Sequence, residues 1–424
     1  MIVVGAAGIA ACATTAPTPK MDTIAEQYVK LVLRVGQHDK NFVDAYYGDP
    51  AWKPTGPPLT LTELGAEAEN LRKLLRALPP DADKDAIGKL RRDFLDKQLA
   101  AVETRVGMLF GQKYSFDQEA ERLYDAKPPR KGDADFQPVL DELATLLPGK
   151  GSLIDRYAKF REKYVIPKDK VDTVFLAAIE GCKSKTLEHL KLPAGETFTV
   201  EYVTGKSWSA YNWYKGNFTS VIQVNMDLPI TIDRAIDLAC HEGYPGHHVY
   251  NALLEQHLVK ERGWVEFSVY PLFSPQSLIA EGTANFGIEV AFPGDAKTAF
   301  EREKLYPLAG LDPATAEKYA TVQKLVAKLS YAGNEAARRY LNHEIDRAAA
   351  AEWLQKWAMS PKDRAEQRTR FFDEYRSYVI NYNLGQDMVR EYVEGKGGTE
   401  DKPEERWRIF GDLLSTPRVP SGLR

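Results

Sequence analysis

The chain has 424 residues, 44% hydrophobic and 27% charged, with a formal net charge of −4 and a pI near 6.1. That length and apolar content are enough for a large buried core and argue against large-scale disorder. Lys and Arg are interleaved with Asp and Glu, which disfavours nucleic-acid binding, and no apolar run reaches the roughly eighteen residues of a membrane-spanning helix.

Residues 1–19 carry no charged side chain, and an apolar, small-residue run ends in Ile9-Ala10-Ala11-Cys12, followed by Thr- and Pro-rich residues. This resembles a bacterial lipobox. Cleavage before Cys12 would leave a cysteine to carry a diacylglycerol, and the Thr/Pro stretch would tether the folded part. The usual basic segment is missing, since the first positive residue is Lys20. The reading places the protein in the bacterial cell envelope, touching the membrane only through a lipid anchor at Cys12. Cys182 and Cys240 then remain as an even pair in an oxidising compartment, their pairing open. Cys240, beside His241, reads as a buried inert thiol.

Residues 20–165 read as an N-terminal helical region. Thr60-Leu61-Thr62-Glu63 predicts a capping box, with Leu64, Leu71, Leu74, Leu75 and Leu78 following before Pro79-Pro80 stops the run. Residues 85–108 repeat the pattern with Ile87, Leu90, Phe94, Leu95, Leu99 and Val102. These are core stripes with solvated charged faces between them. The remainder, 166–424, reads as the catalytic region. After Gly195 the pattern changes: 198–203 alternates with period two, and 208–214 and 218–224 are aromatic and β-branched. They predict a small antiparallel sheet.

Residues 230–240 predict a helix capped by Thr231 or Asp233, running into His241-Glu242-Gly243-Tyr244-Pro245-Gly246-His247-His248. Three histidines and a carboxylate in eight residues are the composition of a zinc site. A straight helix cannot make it, because six steps at 3.6 residues per turn rotate His247 off the face of His241, while His248 lies a turn too far along. Pro245 between two glycines should bulge or break the helix and can return His247 to His241. Asp237, four before His241, and Asn251, four after His247, are placed to steady the imidazoles.

The pattern His241-Glu242-x-x-Pro245-Gly246-His247, with the later Glu281-Gly282-x-Ala284, resembles the bacterial DUF885 family, over roughly residues 195–390. Tyr382-Asn383-Leu384-Gly385 is a weaker match, and Thr283, Phe286 and Tyr250 depart from the residues that family more often carries. The resemblance implies a mainly α, gluzincin-like metallopeptidase fold with a small sheet beside the metal helix. It implies zinc held by His241, His247 and Glu281, with Glu242 as the base that takes a proton from a metal-bound water. It also suggests 220–225 as an edge strand pairing with an extended peptide, the alternative being a structural hairpin.

Glu281 sits on a predicted helix over 278–290, one turn before Asn285, among small residues suited to a close helix crossing. Glu289 competes with it as a ligand, as His248 does with His247. The region from Pro313 to Val393 is again helical. Among its tyrosines Tyr382, then Tyr378, is the candidate to hydrogen-bond a developing oxyanion. Arg370 and Arg376 are candidates for a peptide carboxylate, or plain surface ion pairs, and His38, His189, His257 and His343 read as isolated. The expectation is a zinc-dependent hydrolase acting on peptides. The alternatives are a non-peptide metallohydrolase and a metal-free envelope lipoprotein that binds peptides.

Overall fold

A computed structural model describes residues 20–79 and 85–424; the lipobox at Cys12 lies outside them. The chain is mainly helical. Met21–Val35 (α1) leads through a short strand, Val43–Tyr46 (β1), to Leu61–Arg76 (α2). The predicted capping box starts α2: Thr60 Oγ1 accepts from the Glu63 N–H at 3.2 Å, and Glu63 accepts from the Thr60 N–H at 2.8 Å. The Asp85 carboxylate caps Ala86–Leu109 (α3) by accepting from Gly88 N–H. Leu64, Ala68, Leu71 and Leu75 of α2 share one core with Phe94, Leu95, Leu99 and Val102 of α3 and Tyr28, Val29 and Val32 of α1. Each large apolar side chain so buried contributes about 1.5–3 kcal/mol.

Phe116–Tyr124 (α4), Asp133–Leu146 (α5), Leu153–Glu162 (α6) and Val171–Leu187 (α7) follow. A smaller core, with Phe136, Leu143 and Tyr157 against Val322, Leu329 and Trp357, joins α5 and α6 to later helices.

Three strands come next, Thr197–Val203 (β2), Ala210–Gly216 (β3) and Thr219–Asn225 (β4), in the spatial order β2-β4-β3. The predicted antiparallel hairpin is β3–β4, turned through Asn217 and Phe218, both at positive φ as a two-residue hairpin turn requires. β2 lies parallel to β4, with Thr197 opposite Thr219 and Val203 opposite Asn225. This corrects the reading of 220–225 as a substrate-pairing edge: β4 is the central strand, and both of its sides are already paired. A last strand, Val269–Pro271 (β5), pairs antiparallel with β1 and ties the start of the chain to the later half.

The later helices are Ile232–Leu238 (α8), His247–Leu254 (α9), Pro275–Ala291 (α10), Ala296–Phe300 (α11), Tyr306–Ala309 (α12), Ala316–Ala327 (α13), Tyr331–Leu341 (α14), Arg347–Trp357 (α15), Lys362–Tyr375 (α16), Ile380–Gly395 (α17) and Pro403–Ser415 (α18). α10 and α17 cross closely at two glycines. A Cβ on Gly282 would stand 2.4 Å from the Gly385 carbonyl oxygen, so neither backbone leaves room for a side chain.

Candidate metal centre

α8 does not continue as a regular helix into the histidines. Residues Ala239–Gly243 form a π-helical turn, the chain breaks at Tyr244-Pro245-Gly246, and α9 starts at His247. Gly246 is required there, because a Cβ would lie 1.8 Å from the His241 carbonyl oxygen. The widened turn and the break put His247 beside His241, ring centroids 4.6 Å apart and planes at 88°. The interruption that the six-residue spacing demanded is therefore present, and it needs only backbone to achieve it.

α10 supplies the third group. Glu281 Oε2 lies 3.2 Å from His241 Nε2 and 3.7 Å from His247 Nε2, and the three candidate ligand atoms all fall within 4.8 Å of one another. Oε2 is buried and receives no well-aligned hydrogen bond, whereas Oε1 accepts from the Tyr378 hydroxyl at 2.6 Å. Two imidazole nitrogens from half-buried histidines and one buried carboxylate oxygen without a well-aligned donor converge there, a donor set that fits a zinc ion. Burial acts to raise the Glu281 pKa, but the two histidines outweigh it and hold the carboxyl well below the usual range.

The tautomer of His241 is fixed from behind. Its Nδ1 lies 3.0 Å from Asn285 Oδ1, and the Asn285 amide is oriented by donating to the Tyr382 carbonyl at 3.0 Å. His241 therefore carries its proton on Nδ1 and presents a free Nε2 lone pair. Asp237, expected in this role, turns away and pairs with Lys297 and Arg234. The reason is the π turn: with extra residue per turn, position i+4 no longer shares the face of position i. Asn251 does not reach an imidazole either, donating instead to the His247 carbonyl.

His248 is excluded as the second ligand. It is fully buried between Ser220 Oγ, 2.9 Å from Nδ1, and Glu196 Oε2, 2.9 Å from Nε2, with Tyr244 donating to the same carboxylate. Serine, histidine and glutamate in a line suggest a hydrolytic triad, but Ser220 and His248 do not border the cavity. They brace the sheet against α9. Glu289, the competitor of Glu281, is taken by Arg390 and Gln386. Cys240 is not the inert thiol expected. It forms a disulfide with Cys182 of α7, which pins the π turn directly before His241.

Glu242 is buried, its side chain bordering the cavity and its carbonyl held by Asn212 Nδ2 at 2.8 Å. Burial pushes its carboxyl up to about 7, against a lowering by His247 and with a further rise from Glu281. A cation at the three ligands would draw it back down. The Tyr382 side chain also borders the cavity, and its hydroxyl has no hydrogen-bond partner among the described residues. Burial and then Glu281 raise the Tyr382 pKa well above the ordinary value, which keeps it a donor.

The cavity measures about 1020 Å³ and lies between the helices that carry His241, His247 and Glu281, the β3 end of the sheet and α16. Sequence reasoning missed several of its residues, Asp44 and Arg368 among them. Asp44 of β1 is half-buried there against the Tyr211 hydroxyl, and loss of solvation, partly offset by Tyr211 and His247, pushes it up to about 6. Arg368 of α16 points into the same space, in a run of alternating charges that gave no signal. Arg376 pairs with Glu119, and Arg370 is exposed. His38, His189, His257 and His343 all lie away from the site, as expected; His189 stacks on Trp407 and His257 pairs with Glu261.

No family model and no curated protein matches the chain. Among solved structures, a "putative lipoprotein" from Colwellia psychrerythraea aligns with a TM-score of 0.52 at 13% identity, over 86% of this chain and 68% of that one. A "putative lipoprotein of unknown function" from Shewanella oneidensis aligns with a TM-score of 0.41 at 14% identity, over 84% and 72%. At these identities the likeness concerns the fold alone, and the resemblance to DUF885 proteins rests on the motif residues themselves.

Proposed function

We propose that the protein is a zinc-dependent peptidase. The observation that carries the reading is the convergence of His241, His247 and Glu281 beside a buried Glu242, whose carboxylate has no hydrogen-bond partner among the described residues, at the wall of a large cavity. His241, His247 and Glu281 would hold the ion, which when bound would supply Lewis acidity toward a substrate carbonyl and a water. Glu242 is placed to accept a proton from the attacking water as its oxygen adds to the carbonyl carbon, and would return it to the amine as the C–N bond breaks. Tyr382 donates to the oxygen that gains charge, while Tyr378 is occupied with holding Glu281. Asn285 keeps the proton of His241 on Nδ1.

The disulfide and the lipobox-like Ile9-Ala10-Ala11-Cys12 support an envelope location with a lipid on Cys12. The structural neighbour named as a lipoprotein is in keeping with that reading.

The deciding experiment combines elemental analysis with turnover on a panel of peptides. We expect about one zinc per chain, retained in Glu242→Gln with most turnover gone, and lost in His247→Ala and Glu281→Ala. Near-full activity in Glu242→Gln would refute the assigned base. A parent that takes up no metal even when zinc is offered would remove the hydrolase altogether.

A further inference from the structure

Granting the peptidase reading, on which this inference rests, the cavity also carries a mark of which end of a peptide it takes. Several acidic side chains on its wall, though not the proposed base Glu242, are already engaged: Asp44 by Tyr211, Asp237 by Lys297, Glu281 by Tyr378 and Glu289 by Arg390. Arg368 is not. Its guanidinium faces the cavity from α16, meets no carboxylate among the described residues, and lies over the rings of Phe371 and Tyr382, 4.8 and 5.7 Å from their centroids. One turn earlier on the same face of α16, the Arg364 guanidinium has the Pro229 carbonyl as its hydrogen-bond partner among the described residues and adds a further positive charge.

Arg368 is half-buried at the cavity wall, so its charge is partly screened by water yet has no counterion beside it, which leaves it able to take an anionic group that enters the cavity. Its planar fork matches a carboxylate through two parallel hydrogen bonds, and the aromatic faces fix its plane. Its position relative to the centre is equally pointed. The Tyr382 ring beneath it packs on Tyr378, 5.8 Å between centroids, and the Tyr378 hydroxyl holds the ligand carboxylate of Glu281. The unpaired cation is therefore two rings from the candidate metal.

We propose that Arg368 binds the free α-carboxylate of a peptide, so that the bond presented to His241, His247 and Glu281 lies close to the C-terminus and the protein is a C-terminal exopeptidase. Water adds to the carbonyl carbon of that bond, the C–N bond breaks, the departing amine takes the proton, and a short C-terminal piece leaves.

The test compares N-acetyl-Ala-Ala-Ala as the free acid with its C-terminal amide. In zinc-loaded Glu242→Gln, calorimetric titration should show the acid binding about tenfold or more tighter than the amide, the size of one charge-assisted contact. Adding Arg368→Gln should abolish that preference and leave amide binding unchanged, with Arg368→Lys retaining part of it. Circular dichroism and Tm establish that the variants fold, and the acid-to-amide ratio in the parent needs no variant at position 368. Equal affinity for acid and amide, binding of neither, or a preference that survives Arg368→Gln would overturn the proposal. Turnover separates the two readings. If zinc-loaded parent cleaves neither this pair nor any other peptide, the peptidase reading fails. If it cleaves acid and amide with equal kcat/KM, only the carboxylate assignment fails.

Discussion

Replacing Tyr378 by phenylalanine removes a single oxygen and tests whether this phenol, and not its neighbour one turn on, supports the metal centre. The ring should stay in place, since it packs on Tyr124, Tyr375 and Tyr382. What goes is the 2.6 Å hydrogen bond to Glu281 Oε1, the contact that fixes the carboxylate with Oε2 toward the two imidazoles. A hydrogen bond to a charged group is worth about 1.5–3 kcal/mol, which at 1.4 kcal/mol per decade converts to roughly 10- to 100-fold in affinity, the usual range for a partner behind a metal ligand. Zinc affinity measured by competition with a fluorescent chelator should weaken by that factor in Tyr378→Phe. Tyr382→Phe is the contrast, because its hydroxyl makes no hydrogen bond among the described residues: zinc affinity should stay within about twofold while turnover falls. Zinc bound by Tyr378→Phe as tightly as by the parent, or weakened as much by Tyr382→Phe, would refute the division of roles.

Three further outcomes are expected. Gly246→Ala should lose zinc binding outright, because its Cβ would overlap the His241 carbonyl oxygen; a stoichiometric metal content in that variant would disprove the backbone argument. Cys182→Ser, which opens a cross-link between positions 58 apart in sequence, should cost up to about 4 kcal/mol by loop entropy, read as a lower denaturant midpoint that reduction of the parent reproduces. Burial tends to raise the Glu196 pKa, but hydrogen bonds from His248 and Tyr244 bring it below the ordinary value. Its stabilising contribution is then complete above the ordinary carboxylate range and disappears as pH falls through the folded-state pKa. The Tm gap between parent and Glu196→Gln should accordingly be widest near pH ~7 and close toward pH ~3, and a gap that widens on acidification would contradict the assignment.

The site was legible where local sequence constrains geometry. His241 and His247 at a spacing no straight helix tolerates, with Pro245 and Gly246 between them, required an interruption, and the small residues around Glu281 announced the crossing that Gly282 and Gly385 make. Legibility failed where a regular period was assumed through that interruption, which is why Asp237 was placed behind His241 when Asn285, from another helix, stands there. It failed again where contacts span the chain. α16 ends at Tyr375, and Arg376, at φ 52, turns the backbone into a short 3₁₀ segment that carries Tyr378 to Glu281 and leaves Tyr382 free. No local pattern encodes that turn. The order β2-β4-β3, which makes β4 central, is likewise a matter of long-range pairing.

The turn at Arg376 is held from the far end of the sequence. Glu119 of α4 accepts from Arg376 Nε, the Ser377 N–H and the Ser377 hydroxyl at 2.7, 3.1 and 2.6 Å, immediately before the tyrosine that steadies Glu281. A truncated protein starting near residue 166 would keep all three candidate ligands and the base, yet it would release this clamp and unpair β5 from β1. The expectation is that the candidate metal centre cannot be cut out as a smaller unit without loosening it. Removing the chain through residue 120 would take away the Glu119 support behind Tyr378, although that segment contributes none of the three candidate ligands.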